Sequence, residues 1–90
     1  MSSVYKVNIS HYDYTPMGDK RLELINTVVG IFNIEVKMAS NWVNNIPTSI
    51  IIDDCDIDIV TKLKPHLRCE LSEIKDIDVI REYRLNRLGI

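Results

Sequence analysis

The amino-acid sequence predicts one small α+β domain, with strands and helices in separate layers and the order β-α-α-β-α-β-α. Its 90 residues can build one core and leave no room for a second. The segment Val4–Ser10 alternates apolar and polar residues, which is typical of a half-buried strand. In two longer segments that follow, apolar residues recur every three or four positions, as they do in amphipathic helices.

The composition excludes several classes of protein. Hydrophobic residues make up 46% of the chain and charged residues 27%, as in ordinary folded domains and unlike collagen-like or disordered chains. The formal net charge is -2, so the overall charge does not favour binding to a nucleic-acid backbone. The longest apolar run, residues 50–52, is far shorter than the roughly 20 residues of a membrane span. The N-terminus lacks the pattern of a secretory signal, so we expect a cytoplasmic protein that binds neither membranes nor nucleic acid.

Two helices are predicted in the N-terminal half of the chain. The first has its apolar stripe within residues 20–32, and it begins either at Pro16 or after Asp19 as its N-cap. The stripe covers about half of the helix surface, so we expect more than one neighbouring element to pack against it. The second helix has Asn33 as its N-cap and runs to residue 46, because Pro47 follows and ends it.

The C-terminal half is predicted to contain two strands and two helices. Residues 48–52 are rich in β-branched side chains and form the first of these strands. Asp56 is expected to cap a third helix, which Pro65 kinks or ends early. Residues 69–75 form the last strand, and residues 76–90 form a fourth helix with Asp76 as its N-cap.

The fourth helix has an unusual distribution of side chains. A helix that packs only on its own core separates its apolar residues from its charged ones. Here the two kinds share one side of the helix, so the arginines form either an ordinary solvated face or, together with the apolar residues, a docking surface for an acidic protein partner. The predicted docking residues are Ile77, Ile80, Arg81, Arg84, Arg87 and Leu88.

Two groups of residues have side chains that could hold a metal ion. Four aspartates, at positions 53, 54, 56 and 58, crowd the start of the third helix. They lack the glycine and the final glutamate of a calcium loop, so we interpret them as a charged turn and helix cap. Cys55, Cys69, His11 and His66 lack the paired spacing of a zinc site. We therefore expect neither a metal nor a cofactor.

No arrangement of residues in the sequence favours catalysis over a structural role. Cys69 and His66 are the pair that offers a nucleophile and a base, and they leave a thiol or metal enzyme as the weakest alternative. If Cys69 opens a strand, its thiol is instead a small core side chain. Without a secretory signal, both cysteines are expected to be free thiols. Trp42 lies on the apolar side of the second helix, where it either packs in the core or lines a recognition pocket.

The segment at residues 5–17 resembles the opening of the ClpS family of protease adaptors. In that family a Tyr-Lys-Val strand runs into an Asn-Asp-Asp-Tyr-Thr-Pro-Met turn, and a helix follows. Tyr5, Lys6 and Val7 match the strand, and residues 13–17 match the last five residues of the turn. Phe32, Val36 and Ala39 also fall at the family's helix junction and second helix.

This resemblance implies a peptide-binding pocket. ClpS adaptors bind a bulky N-terminal side chain in a pocket and hold its α-amino group with polar groups. His11 and Tyr12 stand at the family's asparagine and first aspartate, and Asp13 stands at the second aspartate. Met17 matches the methionine at the rim of the pocket, and Pro47 falls at or near the family's histidine. The implied peptide-binding residues are His11, Tyr12, Asp13 and Met17.

The middle of the chain resembles the C-terminal domain of the bacterial ribosomal stalk protein, a relative of ClpS in fold. The matching residues align without a gap; they are Leu22, Ile25, Val28, Gly30, Val36, Ala39, Val43 and Pro47. Both families share a three-stranded antiparallel sheet with three helices on one face. The resemblance therefore implies that residues 1–75 form this domain. Residues 76–90 are then an additional amphipathic helix, either part of the same domain or a docking tail.

The two resemblances favour a non-enzymatic module that binds other proteins. The first hypothesis is an adaptor that modulates which substrates or partners reach a larger machine, such as a Clp-type AAA+ unfoldase. The alternative is a stalk-like or inhibitory partner of the translation apparatus, which binds the ribosome or elongation factors. The sequence does not determine the oligomeric state.

Overall fold

The computed structural model describes residues 3–87 and contains the elements in the predicted order, which confirms the α+β fold. The elements are β1 (Val4–Ser10), α1 (Asp19–Phe32), α2 (Val36–Asn44), β2 (Thr48–Asp53), a single 3-10 turn (Asp54–Asp56), α3 (Ile57–Leu63), β3 (Arg68–Glu73) and α4 (Ile77–Arg87). Within these residues, no helix is both long enough and apolar enough to pass through a lipid bilayer.

β1 is the central strand of a three-stranded antiparallel sheet with the order β2-β1-β3. Val7 pairs with Ile50 on one side and with Leu71 on the other. Because paired residues of an antiparallel sheet point to the same side, this register defines two faces. The first face includes Tyr5, Val7 and Ile9 of β1, and the second face includes the alternating residues Val4, Lys6 and Asn8.

The first face of the sheet, together with α1, α2 and α3, forms the main hydrophobic core. The core residues are Val7, Ile9, Leu24, Ile25, Val28, Ala39, Val43, Ile52, Val60, Leu63 and Leu67, all buried. Trp42 is partly buried against this core, with its ring tilted by 58° against that of Phe32 at a centroid distance of 5.2 Å. Packing is therefore the role that the structure gives to Trp42.

The helix α4 lies against the second face of the sheet. Val4 is only 1% exposed, and it borders a groove together with Ile77 and Ile80 of α4. On the other flank of the helix, Val79 and Tyr83 border a second groove together with Ile51 of β2. The sheet is thus covered by helices on both faces, with three on the first and α4 on the second.

The connection between α1 and α2 differs from the prediction. Asn33 does not cap α2; it follows α1 in the left-handed conformation, with φ 54° and ψ 52°. Asparagine is one of the few residues besides glycine that adopt this conformation readily, and it often ends helices for that reason. As a result α2 begins only at Val36, with Glu35 in the N-cap position.

Several other predicted boundaries shift by a few residues. Both predicted starts of α1 are wrong: the helix does not begin at Pro16, and Asp19 is its first residue and not its N-cap, a position that Gly18 occupies. The φ angle of Gly18 is 62°, a conformation that glycine adopts without steric cost. α2 ends at Asn44, two residues earlier than predicted. α3 ends at Leu63, before Pro65, as expected.

Candidate functional site

The loop between β1 and α1 contains the four residues predicted to bind a peptide. The hydroxyl group of Tyr12 donates a hydrogen bond to the backbone carbonyl of Lys64, directly after α3. This bond connects the middle of the loop to the segment between α3 and β3. His11 is half-buried at the end of β1, whereas Asp13 and Met17 are exposed. The loop is therefore held at Tyr12 by a hydrogen bond and open to solvent at Asp13 and Met17.

Large apolar side chains are exposed along this loop and the first turn of α1. Tyr14 is 87% exposed and Met17 is 80% exposed, and Tyr12 and Leu22 are also exposed. Single exposed apolar side chains are common on protein surfaces, but several within one short segment often indicate a binding surface. We call these four residues, Tyr12, Tyr14, Met17 and Leu22, the loop patch.

A cleft of about 590 Å³ lies next to the loop, between α1 and the turn that follows α3. It shares only Pro16 with the loop, so the predicted residues His11, Tyr12, Asp13 and Met17 do not line it. The lining residues are Pro16, Lys20, Glu23, Leu24, Asn26, Thr27, Pro65 and His66. The structure thus places the predicted residues on the surface beside a cleft that other residues form.

Most residues that line this cleft were not identified by sequence reasoning. Lys20, Glu23 and Thr27 follow one another at helical spacing on the flank of α1, and the Thr27 hydroxyl donates a hydrogen bond to the Glu23 carbonyl at 2.8 Å. In the sequence, these polar residues next to the apolar stripe of α1 were the one indication that this side of the helix could line a cleft. The sequence pattern does not show which element lies across from it, and in the structure that element is the turn with Pro65 and His66.

Most of the residues predicted to form a docking surface on α4 lie next to one another in the structure. Four of its residues line one groove of about 310 Å³ together with Leu85, which the sequence analysis did not include. The lining residues are Ile77, Ile80, Arg81, Arg84 and Leu85. Arg87 is the last residue of α4, but its side chain lies outside the described part of the structure. Leu88 also lies outside the described residues.

Cys69 and His66, the pair considered for catalysis, have different environments. Cys69 is half-buried on the first face of the sheet, opposite Ile9, and its Sγ lies 3.7 Å from the carbonyl oxygen of Leu67. Burial raises the pKa of the Cys69 thiol, and the charge of Lys64 lowers it to a smaller extent. An activated cysteine nucleophile needs a lowered pKa, so this environment suits a packed thiol. His66 is exposed, and both cysteines are free.

The aspartates before α3 organise the local backbone. Asp53 accepts a hydrogen bond from the backbone N–H of Cys55 through Oδ1, at 2.9 Å. Asp54 accepts one from the backbone N–H of Ser3 through Oδ2, also at 2.9 Å. Among residues 3–87, no three histidine, cysteine, aspartate or glutamate side chains are grouped so that they could share a metal ion. The hydrogen bonds of Asp53 and Asp54 agree with the interpretation of this segment as a charged turn.

The chain was compared with models of protein families, with curated proteins and with solved structures. None of the three comparisons finds a match. The resemblance to ClpS adaptors and to the stalk domain therefore depends on the sequence pattern alone.

Proposed function

We propose that this protein is a non-enzymatic binding module that acts as an adaptor, modulating which proteins reach a larger machine such as a Clp-type unfoldase. The observation that supports this proposal most is the loop patch. Its side chains are exposed, but the Tyr12 hydroxyl fixes the loop against the backbone of Lys64. A fixed loop loses little conformational entropy when a ligand binds, which favours recognition.

The proposed ligand is a polypeptide with a free N-terminus and a bulky first side chain. The thioether of Met17 and the ring of Tyr14 offer apolar surface to that side chain, because both are largely exposed. The carboxylate of Asp13, exposed on the same loop, accepts hydrogen bonds from the α-ammonium group. Glu23 in the neighbouring cleft offers a second carboxylate near the path of the bound chain.

Isothermal titration calorimetry with short peptides tests this proposal. Peptides that begin with Leu, Phe, Trp or Tyr should bind, and the same peptides with an acetylated N-terminus should not. Met17→Ala should weaken binding by about tenfold, because the variant loses the apolar contact that Met17 would make with the first side chain of the bound peptide. Met38→Ala is the matched control: Met38 is also exposed, but it lies on α2. If millimolar peptide with a free N-terminus gives no heat, the recognition of N-termini is excluded.

A second candidate function is a stalk-like interaction with the translation apparatus. In the resembling stalk domain the first two helices form the docking face, and here Val36 and Met38 are exposed on α2. Affinity purification with the full chain distinguishes the candidates: recovery of an unfoldase supports the adaptor, and recovery of ribosomes or elongation factors supports the stalk-like function. Both candidates place the protein in the cytoplasm.

A further inference from the structure

The apolar side chains of α4 are not confined to the side that packs on the sheet. Val79, Ile80 and Tyr83 are half-buried and face the second face of the sheet. Ile77 is 68% exposed and Leu85 is 46% exposed, so a large part of each side chain remains in contact with solvent. A helix that only covers a sheet needs apolar residues on one side, and the second set is left for another contact.

The exposed apolar residues form a line with an arginine between them. Ile77, Arg81 and Leu85 are spaced by four residues, so they lie on successive turns of one side of α4. At 1.5 Å per residue the line is about 12 Å long. Arg84 lies beside it, in the same groove. The groove continues past Ile77 and Ile80 to the connection between β3 and α4, where Ile74 and Lys75 line a volume of about 520 Å³.

Basic residues outnumber acidic ones along this groove. Arg81 and Arg84 line it, and Lys75 and Glu73 lie at its end. Asp78 lies one turn before Arg81, at the edge of the exposed side. On the opposite flank, Glu82 borders the groove that contains Ile51 and Tyr83. The whole chain has a net charge of -2, so the excess of basic residues along this groove is a local property. A local positive surface on an acidic protein favours the approach of an acidic partner in one orientation.

We propose that this side of α4 binds an acidic amphipathic helix of a partner protein. Leucine or isoleucine side chains of that helix would contact Ile77 and Leu85, and its carboxylates would accept hydrogen bonds from the guanidinium group of Arg81. Arg84 has an interaction within the chain and adds positive charge beside Arg81. The spacing of four residues along α4 matches the ridges of a second helix packed alongside it. This surface is separate from the loop patch, so the inference holds whether or not the loop binds peptide N-termini.

A second copy of the same chain is a less suitable occupant. In a two-fold symmetric dimer the same surface meets itself. Arg81 and Arg84 of one chain would then face the arginines of the other, and like charges placed together oppose association. An acidic helix brings the opposite charge to both arginines, and so charge complementarity favours the heterologous partner.

The test uses a synthetic helical peptide of roughly 18 residues, a length that can form a helix in water. Leucines on one side and glutamates on the other represent the proposed partner, and a second peptide has lysine at each glutamate position. Fluorescence anisotropy with the full chain should detect binding of the acidic peptide and at least about tenfold weaker binding of the basic one. The acidic peptide should bind more tightly in about 50 mM salt than in about 300 mM salt, because salt screens exposed charges.

Matched variants locate the binding surface. Arg81→Glu should weaken binding of the acidic peptide by about tenfold or more, because an attraction becomes a repulsion. Arg68→Glu makes the same change in net charge on exposed β3, and it should have a much smaller effect. Ile77→Ala should also weaken binding, whereas Ile57→Ala, at an exposed isoleucine on α3, should not. Circular dichroism of each variant verifies that α4 is still folded.

Three outcomes would overturn the inference. Equal affinity for the acidic and the basic peptide would show that charge does not select the partner. Equal losses in Arg81→Glu and Arg68→Glu would show that only the net charge of the protein matters. A dimer in analytical ultracentrifugation that Ile77→Ala dissociates would assign the surface to a second copy of the chain. Calorimetry with free N-termini is unaffected by all three, so failure of this inference is distinguishable from failure of the adaptor proposal.

Discussion

The two faces of the sheet are covered to very different degrees. On the first face Val7 and Ile52 are buried under the helices α1, α2 and α3. On the second face α4 buries Val4 but leaves Ile51 40% exposed. Because the free energy of burial is roughly proportional to the apolar area removed from water, most of the stability of the domain comes from the first face. The lightly packed α4 is then the element that can serve an interaction without weakening the fold.

The side chains of α1 and α4 show the physical origin of this difference. α1 buries Leu24, Ile25 and Val28 on one side, so most of its apolar residues contribute to the core. α4 divides its apolar residues between the sheet and the solvent, as Ile80 and Leu85 show. A helix with divided apolar residues gains less from packing on its own domain, and this difference leads to three predictions about stability.

The largest expected effect is the loss of a leucine from the core. Leu24→Ala in α1, where Leu24 is 5% exposed, should lower the free energy of unfolding by about 2–5 kcal/mol, because the substitution leaves a cavity. Leu85→Ala in α4 is the matched control and should change it by less than about 0.5 kcal/mol, since Leu85 is 46% exposed and lies outside the core. Urea denaturation followed by circular dichroism measures both values. A similar decrease in the free energy of unfolding in both variants would mean that the two faces of the sheet contribute equally to the stability of the domain.

The second prediction concerns the removal of α4 as a whole. A chain that ends at Lys75 should still fold, because the core between the first face and three helices remains. Its free energy of unfolding should fall by about 1–3 kcal/mol, mainly because Val4 becomes exposed. Nuclear magnetic resonance spectra should retain the dispersed amide signals of β1, β2 and β3. An unfolded spectrum at room temperature would show that α4 belongs to the essential core.

The fold follows from the sequence where a residue pattern reports local structure. The alternation at Val4–Ser10 and the helical spacing of Leu24, Ile25 and Val28 determine which face each element buries, and both were predicted. Asn33 was misassigned because asparagine suits the start of a helix as an N-cap and also its end in the left-handed conformation. Only the position of α2 in three dimensions decides between these roles.

The candidate sites were predictable to different extents for a similar reason. The mixture of isoleucines and arginines on α4 is local to one helix, so the sequence alone indicated that these side chains lie together, and their role in docking stays a prediction. The position of α4 on the second face depends on long-range contacts of Val4 and Ile51, and no local pattern reports them. The cleft lined by Lys20 and His66 likewise joins residues distant in the sequence. Contacts between residues that are distant in the sequence are therefore the part of the structure that local residue patterns do not predict.

The smallest expected effect is confined to the N-terminus of α4. Asp76 accepts a hydrogen bond from the backbone N–H of Asp78 through Oδ1 at 2.9 Å, as an N-cap does. Asp76→Ala should therefore destabilise α4 by about 1 kcal/mol. Asp76→Ser is the matched control, because serine keeps an oxygen that can accept the same hydrogen bond.

Amide hydrogen exchange separates this local effect from a global one. In Asp76→Ala the amides of α4 should exchange faster, while those of Leu24, Ile25 and Val28 in α1 should keep their rates, because the helix on the second face can open without opening the core. If the α1 amides also exchange faster to the same degree, the two faces unfold as one unit. In that case α4 would be part of the cooperative core, and its exposed side could not be treated as independent of the fold.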